Sequence, residues 1–261
     1  MAAPGVPVMV QPAQVPPGFA PVQPQWMAAP SAPPVGCPPG LEYLTMVDQV
    51  LCHQVVELLE AFTGWETNNK YKIKNSMGQQ IYYAFEDSSV CMRQCCHNQR
   101  SFTMHIVDNY NREVMKVERP FKCCAGCCWC AAIDCCAHET FVEAPVGTPV
   151  GAIRQLPTGC SFDFAVKDPS GITQLIIDGP CCTCRCCADV EFPIYSTDRQ
   201  NRVGCITKQW SGFAREAFTD SDNFGISFPI DLDVKTKATL IGATFLIDFM
   251  AFEDNDRNDN H

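Results

Sequence analysis

Residues 220–252 read DSDNFGISFPIDLDVKTKATLIGATFLIDFMAF, and the run at 238–252 is the most hydrophobic in the chain. A membrane-spanning helix needs about 20 consecutive apolar residues, so this run is short for that role. It also contains Asp248, whose carboxylate would cost about 2.5 kcal/mol or more in hydrocarbon. A helix that is apolar on all sides is instead typical of the centre of a domain. We therefore predict a buried helix at residues 234–252, with core positions Ala238, Leu240, Ile241, Phe245, Leu246, Ile247, Phe249 and Met250.

The first part of this stretch, residues 220–231, has part of the spacing of a calcium-binding loop. Acidic residues stand at positions one and three, Gly225 stands at position six, and an Asp replaces the usual Glu at position twelve. Position five is Phe224, which offers no side-chain oxygen. An Asp- and Asn-rich turn without metal is the alternative, and any calcium site here is expected to be weak, with a Kd of about 10⁻⁴–10⁻³ M. The candidate calcium ligands are Asp220, Asp222, Asn223 and Asp231.

The region from about residue 71 onward consists of short alternating runs such as IYYAFE, FTMHIVD and FDFAVKD. Turn sequences such as SMG, DNYN, DPSG and STDRQN separate these runs. Many short strands with regular turns are typical of an antiparallel sandwich or barrel. The region lacks the alternation of strands with long helices that a parallel α/β sheet requires.

Residues 41–60, LEYLTMVDQVLCHQVVELLE, have apolar side chains at helical spacing. This periodicity predicts one amphipathic helix that packs on the β-domain or lies on a membrane surface. The residues that define the apolar face are Leu44, Val47, Leu51, Val55, Leu58 and Leu59.

The composition argues against several functional classes. A formal net charge of −10 makes nucleic acid an unlikely partner, because nucleic-acid binders usually present a basic face. The sequence has no Gly-rich phosphate loop and no G-x-S-x-G motif, so we expect no covalent catalysis. The N-terminal residues do not have the pattern of a signal peptide. The 19 cysteines are therefore expected to be reduced rather than to form a disulfide framework.

Residues 1–39 contain 12 of the 20 prolines and no charged residue. Such a segment buries too little apolar surface to offset the entropy of ordering, so we predict disorder. A flexible tether is the preferred interpretation, and the alternative is a ligand for SH3 or WW domains through the PxxP spacings Pro4–Pro7 and Pro21–Pro24. Residues 40–253 then form the folded domain, and residues 254–261 form an acidic tail.

Cysteines concentrate at residues 123–136 and 181–187. Pairs with C-x-x-C spacing, such as Cys127–Cys130 and Cys181–Cys184, have the spacing of zinc ligands. S-acylation is the preferred interpretation of the first cluster, because two or more acyl chains give stable membrane anchoring. Inert thiols are the third alternative. The candidate acylation sites are Cys123, Cys124, Cys127, Cys128, Cys130, Cys135 and Cys136.

Five blocks of sequence resemble the phospholipid scramblases, in order, over about residues 38–253. They are PPGLEYL, KYKIKNSMGQQIYYAFE, ERPFKC, VEAPVGTPVGAI and REAFTDSDNFGISFPIDLDVKTKATLIGATFLIDFMAFE. The resemblance implies a mainly β fold like the tubby C-terminal domain, a closed antiparallel β-barrel around a hydrophobic C-terminal helix. Other accounts of the family make that helix a single membrane span.

The resemblance also implies a function. Members of the family move phospholipids in both directions between bilayer leaflets, without ATP, when calcium rises. The resemblance assigns Ca²⁺ to residues 220–231 and palmitate to the cysteines at 123–136, and it implies a location on the cytoplasmic face of the plasma membrane. Some members carry a nuclear import signal at the place of residues 204–213, where this chain has only Lys208 as a basic residue. We therefore expect at most a minor cytosolic or nuclear pool.

A second function of a different class stays open on the sequence alone. A palmitoylated adaptor or signalling scaffold would use the Pro-rich arm for partner proteins and the β-domain as a platform. Phospholipids and the membrane are the expected partners in the first interpretation. SH3 or WW proteins and a homo-oligomer are the candidate protein partners.

Overall fold

The computed structural model describes residues 26–30, 34–55, 68–89, 99–122, 129–181, 189–209 and 223–252. Within these residues twelve antiparallel strands form a closed barrel, and one α-helix, α1 (Val234–Ala251), lies inside it. Two short 3-10 helices span Glu42–Met46 and Trp129–Ala132. The strands are β1 (Gln49–Gln54), β2 (Lys70–Asn75), β3 (Gln80–Asp87), β4 (Phe102–Val107), β5 (Glu113–Arg119), β6 (Glu139–Glu143), β7 (Pro149–Gln155), β8 (Phe164–Lys167), β9 (Thr173–Ile177), β10 (Val190–Ser196), β11 (Arg202–Gln209) and β12 (Asn223–Ser227).

Each strand pairs with the next along the chain, and β12 pairs with β1 to close the barrel. Closure leaves the sheet without an unpaired edge. Side chains alternate between the interior and the outside, as β2 shows with Tyr71 and Ile73 buried between partly exposed lysines. The predicted fold class, a mainly β closed barrel around a hydrophobic C-terminal helix, is confirmed.

Three of the hairpin turns are closed by the same pattern of side-chain hydrogen bonds. Asn75, Asp108 and Asp168 each begin a turn, and a side-chain oxygen of each accepts hydrogen bonds from the backbone N–H groups two and four residues later. The third residue after each of them has a positive φ, which favours Gly or Asn. These residues are Gly78, Asn111 and Gly171. The turn signals in the sequence therefore fix the register of three hairpins.

The two ends of the barrel differ in the length of their connections. At one end, here called the turn end, short connections at 76–79, 108–112, 144–148, 168–172 and 197–201 join the strands. At the other end, here called the loop end, the connections are 55–69, 88–101, 120–138, 156–163, 178–189 and 210–222. Because α1 follows β12, it enters the barrel at the turn end and finishes at the loop end.

Asp233 is the N-cap of helix α1, and its side chain accepts a hydrogen bond of 3.0 Å from the backbone N–H of Thr236. Every residue from Lys237 to Ala251 is buried. The eight predicted core residues are between 0% and 8% exposed, so the prediction of a buried helix is confirmed. Gly242 lets the wall approach closely, because a Cβ there would lie 2.7 Å from Cγ2 of Val142. Among the described residues, no helix combines the length and apolarity that crossing a bilayer requires.

The prediction of an amphipathic helix at 41–60 is wrong for its described part. Residues Glu42–Met46 form one short 3-10 helix, and Gln49–Gln54 form β1; residues 56–60 lie outside the described part of the chain. Val50 and Cys52 point inward while Leu51 and His53 are only partly buried. The barrel needs a strand between β2 and β12, and this long-range pairing overrides the local helical spacing.

Part of the Pro-rich N-terminal segment lies against the barrel. Trp26 forms a parallel bridge with Gln80, and the backbone N–H of Met27 donates to the carbonyl of Gln80 at 2.9 Å. Cys37 is half-buried and packs against the core. The predicted disorder of residues 1–39 therefore does not extend to these residues, whereas residues 1–25 and 31–33 lie outside the described part.

Candidate functional site

A buried amine fastens the turn end of α1. Nζ of Lys237 donates hydrogen bonds to the backbone carbonyls of Leu44 at 3.0 Å, Val47 at 2.8 Å and Ile230 at 2.7 Å. Burial lowers the pKa of Lys237 from its ordinary value, and the carboxylates of Asp48 and Asp231 oppose that shift. The three carbonyls satisfy all three donors of the ammonium group. The helix is thereby joined to the chain just before β1 and just after β12.

A buried carboxylate fastens the loop end of α1. Oδ2 of Asp248 accepts a hydrogen bond of 2.5 Å from the hydroxyl of Tyr71 on β2. The ring of Phe249, the next residue in the helix, stacks on Phe102 with centroids 4.1 Å apart. The guanidinium of Arg100 lies 4.5 Å from the Phe249 ring centroid. Asp248 therefore has a protein partner inside the barrel, and the helix is held at both ends by polar groups.

A layer of buried charged and polar groups lies at the loop end. Nε of Arg100 donates to Oε1 of Glu86 at 3.1 Å, and both side chains are fully buried. Nη2 of Arg119 lies 2.8 Å from Nδ1 of His138. Because arginine is always protonated, Nδ1 of His138 is the acceptor and the ring proton sits on Nε2. Burial, with Arg119 adding to it, lowers the pKa of His138 to about 3, so the imidazole is neutral.

Sequence reasoning did not find this layer. No motif in the sequence pairs His138 with Arg119, which is 19 residues away. The only available signal was the presence of arginines within apolar strand termini, such as ERPF at the end of β5.

The structure does not bring the described members of the predicted calcium loop together. Asn223 begins β12 at the loop end, and its Oδ1 lies 2.5 Å from Nδ1 of His53. Asp231 is exposed and lies beyond the other end of β12, at the turn end. Strand β12 alone separates them by about 13 Å, since a strand rises by about 3.3 Å per residue. Asp220 and Asp222 lie outside the described residues, within which no cluster of three or more metal-binding side chains occurs.

The first cysteine cluster lies in the connection between β5 and β6, at the loop end. Cys123, Cys124, Cys127 and Cys128 lie outside the described residues. Cys130 is half-buried, Cys135 is exposed and Cys136 is buried, and the sulfurs of the last two lie 3.8 Å apart. Burial and the neighbouring thiols raise the pKa of Cys136 to about 12. Of the three described thiols, Cys135 is the most accessible to modification.

A disulfide corrects the expectation that the cysteines are all reduced. Cys160 and Cys181 are bonded and join the connections β7–β8 and β9–β10 at the loop end. The disulfide therefore removes Cys181 as a thiolate ligand for the zinc site that the Cys181–Cys184 spacing suggested. Cys184 lies outside the described residues. The disulfide was missed because its two cysteines are 21 residues apart, and only the barrel topology places them side by side.

Comparison with known proteins identifies the family. The family described as Scramblase matches residues 27–254, which include the whole barrel and α1. The chain belongs to the scramblase family. The resemblance that the sequence blocks indicated is thereby confirmed.

Several curated members of the family are similar over most of the chain. Phospholipid scramblase 1 of Rattus norvegicus is 53% identical over 249 residues, which cover 95% of this chain and 72% of the relative. Phospholipid scramblase 2 of Bos taurus is 53% identical over 249 residues, covering 95% of this chain and 83% of the relative. Phospholipid scramblase 1 of Homo sapiens is 54% identical over 228 residues, covering 87% of this chain and 70% of the relative. No solved structure matches the chain.

Proposed function

We propose that this chain is a phospholipid scramblase, which moves phospholipids in both directions between the leaflets of a bilayer. The observation that carries the proposal is 53% identity to a protein named phospholipid scramblase over 95% of this chain. The transport is downhill, so it requires neither ATP nor a covalent intermediate. The role of the protein is that of a transporter rather than an enzyme.

The test of this function is lipid movement by the purified full chain in liposomes. Fluorescent phospholipid is placed in both leaflets, and dithionite, which does not cross the bilayer, bleaches the accessible leaflet. An active chain lets dithionite bleach nearly all the fluorescence, whereas about half survives in protein-free liposomes. Survival of that half in the presence of the protein, with and without calcium, would contradict the proposal.

Calcium is the proposed trigger, bound by Asp220 and Asp222 with Asn223 contributing. Support comes from the partial loop spacing and from Asn223, which begins β12 at the loop end, the end of the barrel at which α1 finishes. Calcium there would neutralise the carboxylates of Asp220 and Asp222. Calorimetry on the full chain should give a binding heat that Asp222→Ala removes and Asp231→Asn, at the opposite end, leaves intact. An isotherm unchanged by Asp222→Ala would contradict this site.

Attachment through acyl chains is the proposed means of membrane association, on the cytoplasmic face of the plasma membrane. Support comes from the thiol cluster at 123–136 and from the exposure of Cys135. Two or more acyl chains suffice for stable anchoring without a span. Replacement of all seven candidate cysteines by Ser should move the protein into the soluble fraction.

A palmitoylated scaffold is the second candidate function, and the enclosed helix favours it. Helix α1 is buried and held at both ends by Lys237 and Asp248, so in this state it provides no path for a lipid headgroup. In that case the chain would bind membranes without moving lipid, and its Pro-rich arm would recruit SH3 or WW proteins or a second copy. Membrane binding combined with no dithionite bleaching beyond the protein-free level would favour the scaffold.

A further inference from the structure

The outer face of β2 carries three basic side chains in a row. Lys70, Lys72 and Lys74 alternate with the inward-facing residues of the strand, so all three lie on the outside of the barrel, where they are partly exposed. Successive lysines are two residues apart, or about 6.6 Å along the strand. The three residues are here called the lysine row. Like charges in a row repel one another, and an anion from outside the fold would relieve that repulsion.

The neighbouring strands place aromatic and apolar side chains beside the lysine row. On β3, Phe85 stands opposite the first lysine and Tyr83 opposite the second. On β1, Leu51 stands opposite the third lysine. Phe85 is 36% exposed, and its ring stacks on the imidazole of His105 with centroids 5.3 Å apart. The residues directly across from the lysine row on these two strands therefore offer it no carboxylate.

Two members of the lysine row form no ion pair within the part of the chain that the structure describes. Lys72 and Lys74 have no carboxylate partner there. Several other basic side chains of the outer wall do have such partners. Their ion pairs are Lys116 with Glu118 and Glu143, Arg154 with Asp134 and Glu139, and Arg202 with Glu191. The ammonium groups of Lys72 and Lys74 are therefore available to an external anion.

The outward-facing carboxylates that flank the described parts of β1 and β3 lie beyond the two ends of the lysine row. Asp87 is four residues after Tyr83, about 13 Å along β3, and Asp48 is three residues before Leu51, about 10 Å along β1. The screening length at physiological salt is about 8 Å, so neither cancels the positive charge at the centre of the row. For the same reason the formal net charge of −10 on the whole chain does not abolish this local field.

The surface of an anionic bilayer fits this wall in charge, side-chain type and shape. The cytoplasmic leaflet is negatively charged and attracts lysines that lie close to it. Tyrosine and other aromatic side chains are favoured at the level of the headgroups, where Tyr83 and Phe85 would lie. A convex barrel wall meets a flat surface over a narrow strip, so the lysines of one strand can reach it while the ion pairs of other strands face away.

We propose that the lysine row on the outer wall of β2 binds the anionic headgroups of a phospholipid bilayer, with Tyr83 and Phe85 at the level of the headgroups. This inference rests on the proposed function, in that the chain acts on phospholipid bilayers. The contact requires neither an acylated cysteine nor calcium. Because it involves the side of the barrel, α1, which runs from the turn end to the loop end, lies roughly along the bilayer surface and not across it.

Vesicle flotation with the purified, unacylated full chain in the absence of calcium tests this contact. The vesicles are phosphatidylcholine with or without a minor fraction of phosphatidylserine, and the readout is the partition coefficient, which is independent of lipid transfer. Lys72→Gln/Lys74→Gln should lower partitioning into the phosphatidylserine vesicles about 25-fold, because each lysine close to an anionic surface contributes about fivefold. The matched control is Lys167→Gln/Lys235→Gln, which removes the same charge from β8 and from the start of α1 and should bind like the original chain.

Three outcomes would overturn the proposal: equal loss in the two double variants, binding that does not depend on phosphatidylserine, or no binding by the unchanged chain. The last result would favour an acidic protein segment as the partner of the lysine row. Thermal unfolding at the original midpoint shows that each variant is folded.

A second readout does not depend on a loss of binding. Brominated lipid in the phosphatidylserine vesicles should quench the added fluorescence of Tyr83→Trp and not that of Tyr195→Trp, which faces outward from β10 on another side of the barrel. Quenching at position 195 and not at 83 would show that a different wall meets the bilayer. Lack of lipid scrambling would contradict the proposed function and leave these binding results unaffected.

Discussion

The hydroxyl of Tyr71 donates a hydrogen bond of 2.5 Å to the carboxylate of Asp248, and both residues are buried inside the barrel. The two residues are 177 positions apart in the sequence. The charge of Asp248 is the strongest sequence evidence against a membrane span. The contact with Tyr71 explains how the fold buries this carboxylate. A carboxylate with a protein donor is far less costly to bury than one facing hydrocarbon.

Removal of this donor should destabilise the barrel. We expect Tyr71→Phe to lower the free energy of unfolding by about 1–3 kcal/mol, because a buried carboxylate loses a hydrogen bond. Tyr83→Phe is the matched control, since its side chain is outward-facing and half-buried on β3, and it should change stability by about 0.5 kcal/mol or less. Urea unfolding of both variants measures the change in the free energy of unfolding. Equal effects of the two substitutions would contradict a special role for the Tyr71–Asp248 contact.

The close approach of the helix to the wall gives a second prediction. A Cβ at Gly242 would lie 2.7 Å from Cγ2 of Val142, so Gly242→Ala should destabilise the protein by about 1–3 kcal/mol through overpacking. Val142→Ala in the Gly242→Ala background should recover part of that loss, although each substitution alone destabilises. A double-mutant cycle by denaturant unfolding measures the coupling. Strict additivity would show that the helix does not lie against β6 at this point.

The stability of the protein should depend on pH, because the imidazole of His138 is buried in its neutral form. The pKa of His138 is about 3 in the folded chain, below its ordinary value of 6.5, so between these values the unfolded chain binds more protons than the folded one. This contribution to stability is complete above pH 6.5 and is lost as the pH falls toward 3, by at most about 1.4 kcal/mol per pH unit. His138→Asn keeps an acceptor near the position of Nδ1 and does not titrate.

Urea unfolding of the original chain and of His138→Asn between pH 7 and pH 5 measures the difference in stability between the two proteins. The original chain should lose more stability than the variant on acidification, since the variant lacks this proton linkage. Parallel curves for the two proteins would show that His138 takes up a proton in the folded state.

The two adjacent thiols of the first cluster should differ in reactivity. Cys135 is exposed, whereas Cys136 is buried and its pKa is raised to about 12. The thiolate is the nucleophile that attacks an acyl thioester, so Cys135 should carry acyl chains and Cys136 should not. Mass spectrometry of peptides from the cell-expressed protein, with hydroxylamine treatment as the control for thioesters, measures the occupancy. Acylation of Cys136 with Cys135 unmodified would contradict the burial seen here.

Local signals in the sequence predicted the short antiparallel strands and the buried helix, whereas the closed barrel was implied by the resemblance to the scramblases. Alternating strands and Asx turns identify the hairpins, and the length and composition of 238–252 identify a core helix. The strand at Gln49–Gln54 could not be predicted from its local helical periodicity, because one of its two pairing partners, β12, is more than 160 residues away. The same reason applies to two of the three carbonyls around Lys237, those of Leu44 and Val47, which are 193 and 190 residues away in the sequence.

The candidate site was harder to predict than the fold. Loop spacing alone groups Asn223 with Asp231, but β12 runs between them, so the two residues lie at opposite ends of the barrel. Likewise, cysteine spacing groups Cys181 with Cys184, whereas strand order places Cys181 beside Cys160. The spacing rule for metal ligands holds for residues of one continuous loop. It fails when a strand lies inside the motif, because the strand carries the two groups of residues apart.

The central claim is that the chain works at the membrane with α1 enclosed in the barrel, and the position of the C-terminus tests it most directly. An Asn-x-Thr glycosylation acceptor is appended after His261, and the full chain is expressed with microsomes, with and without added calcium. A version preceded by a cleavable signal sequence is the positive control, because it delivers the acceptor to the lumen. We expect no glycan on the chain without the signal sequence. Glycan on that chain would show that the tail crosses the bilayer and that α1 leaves the barrel.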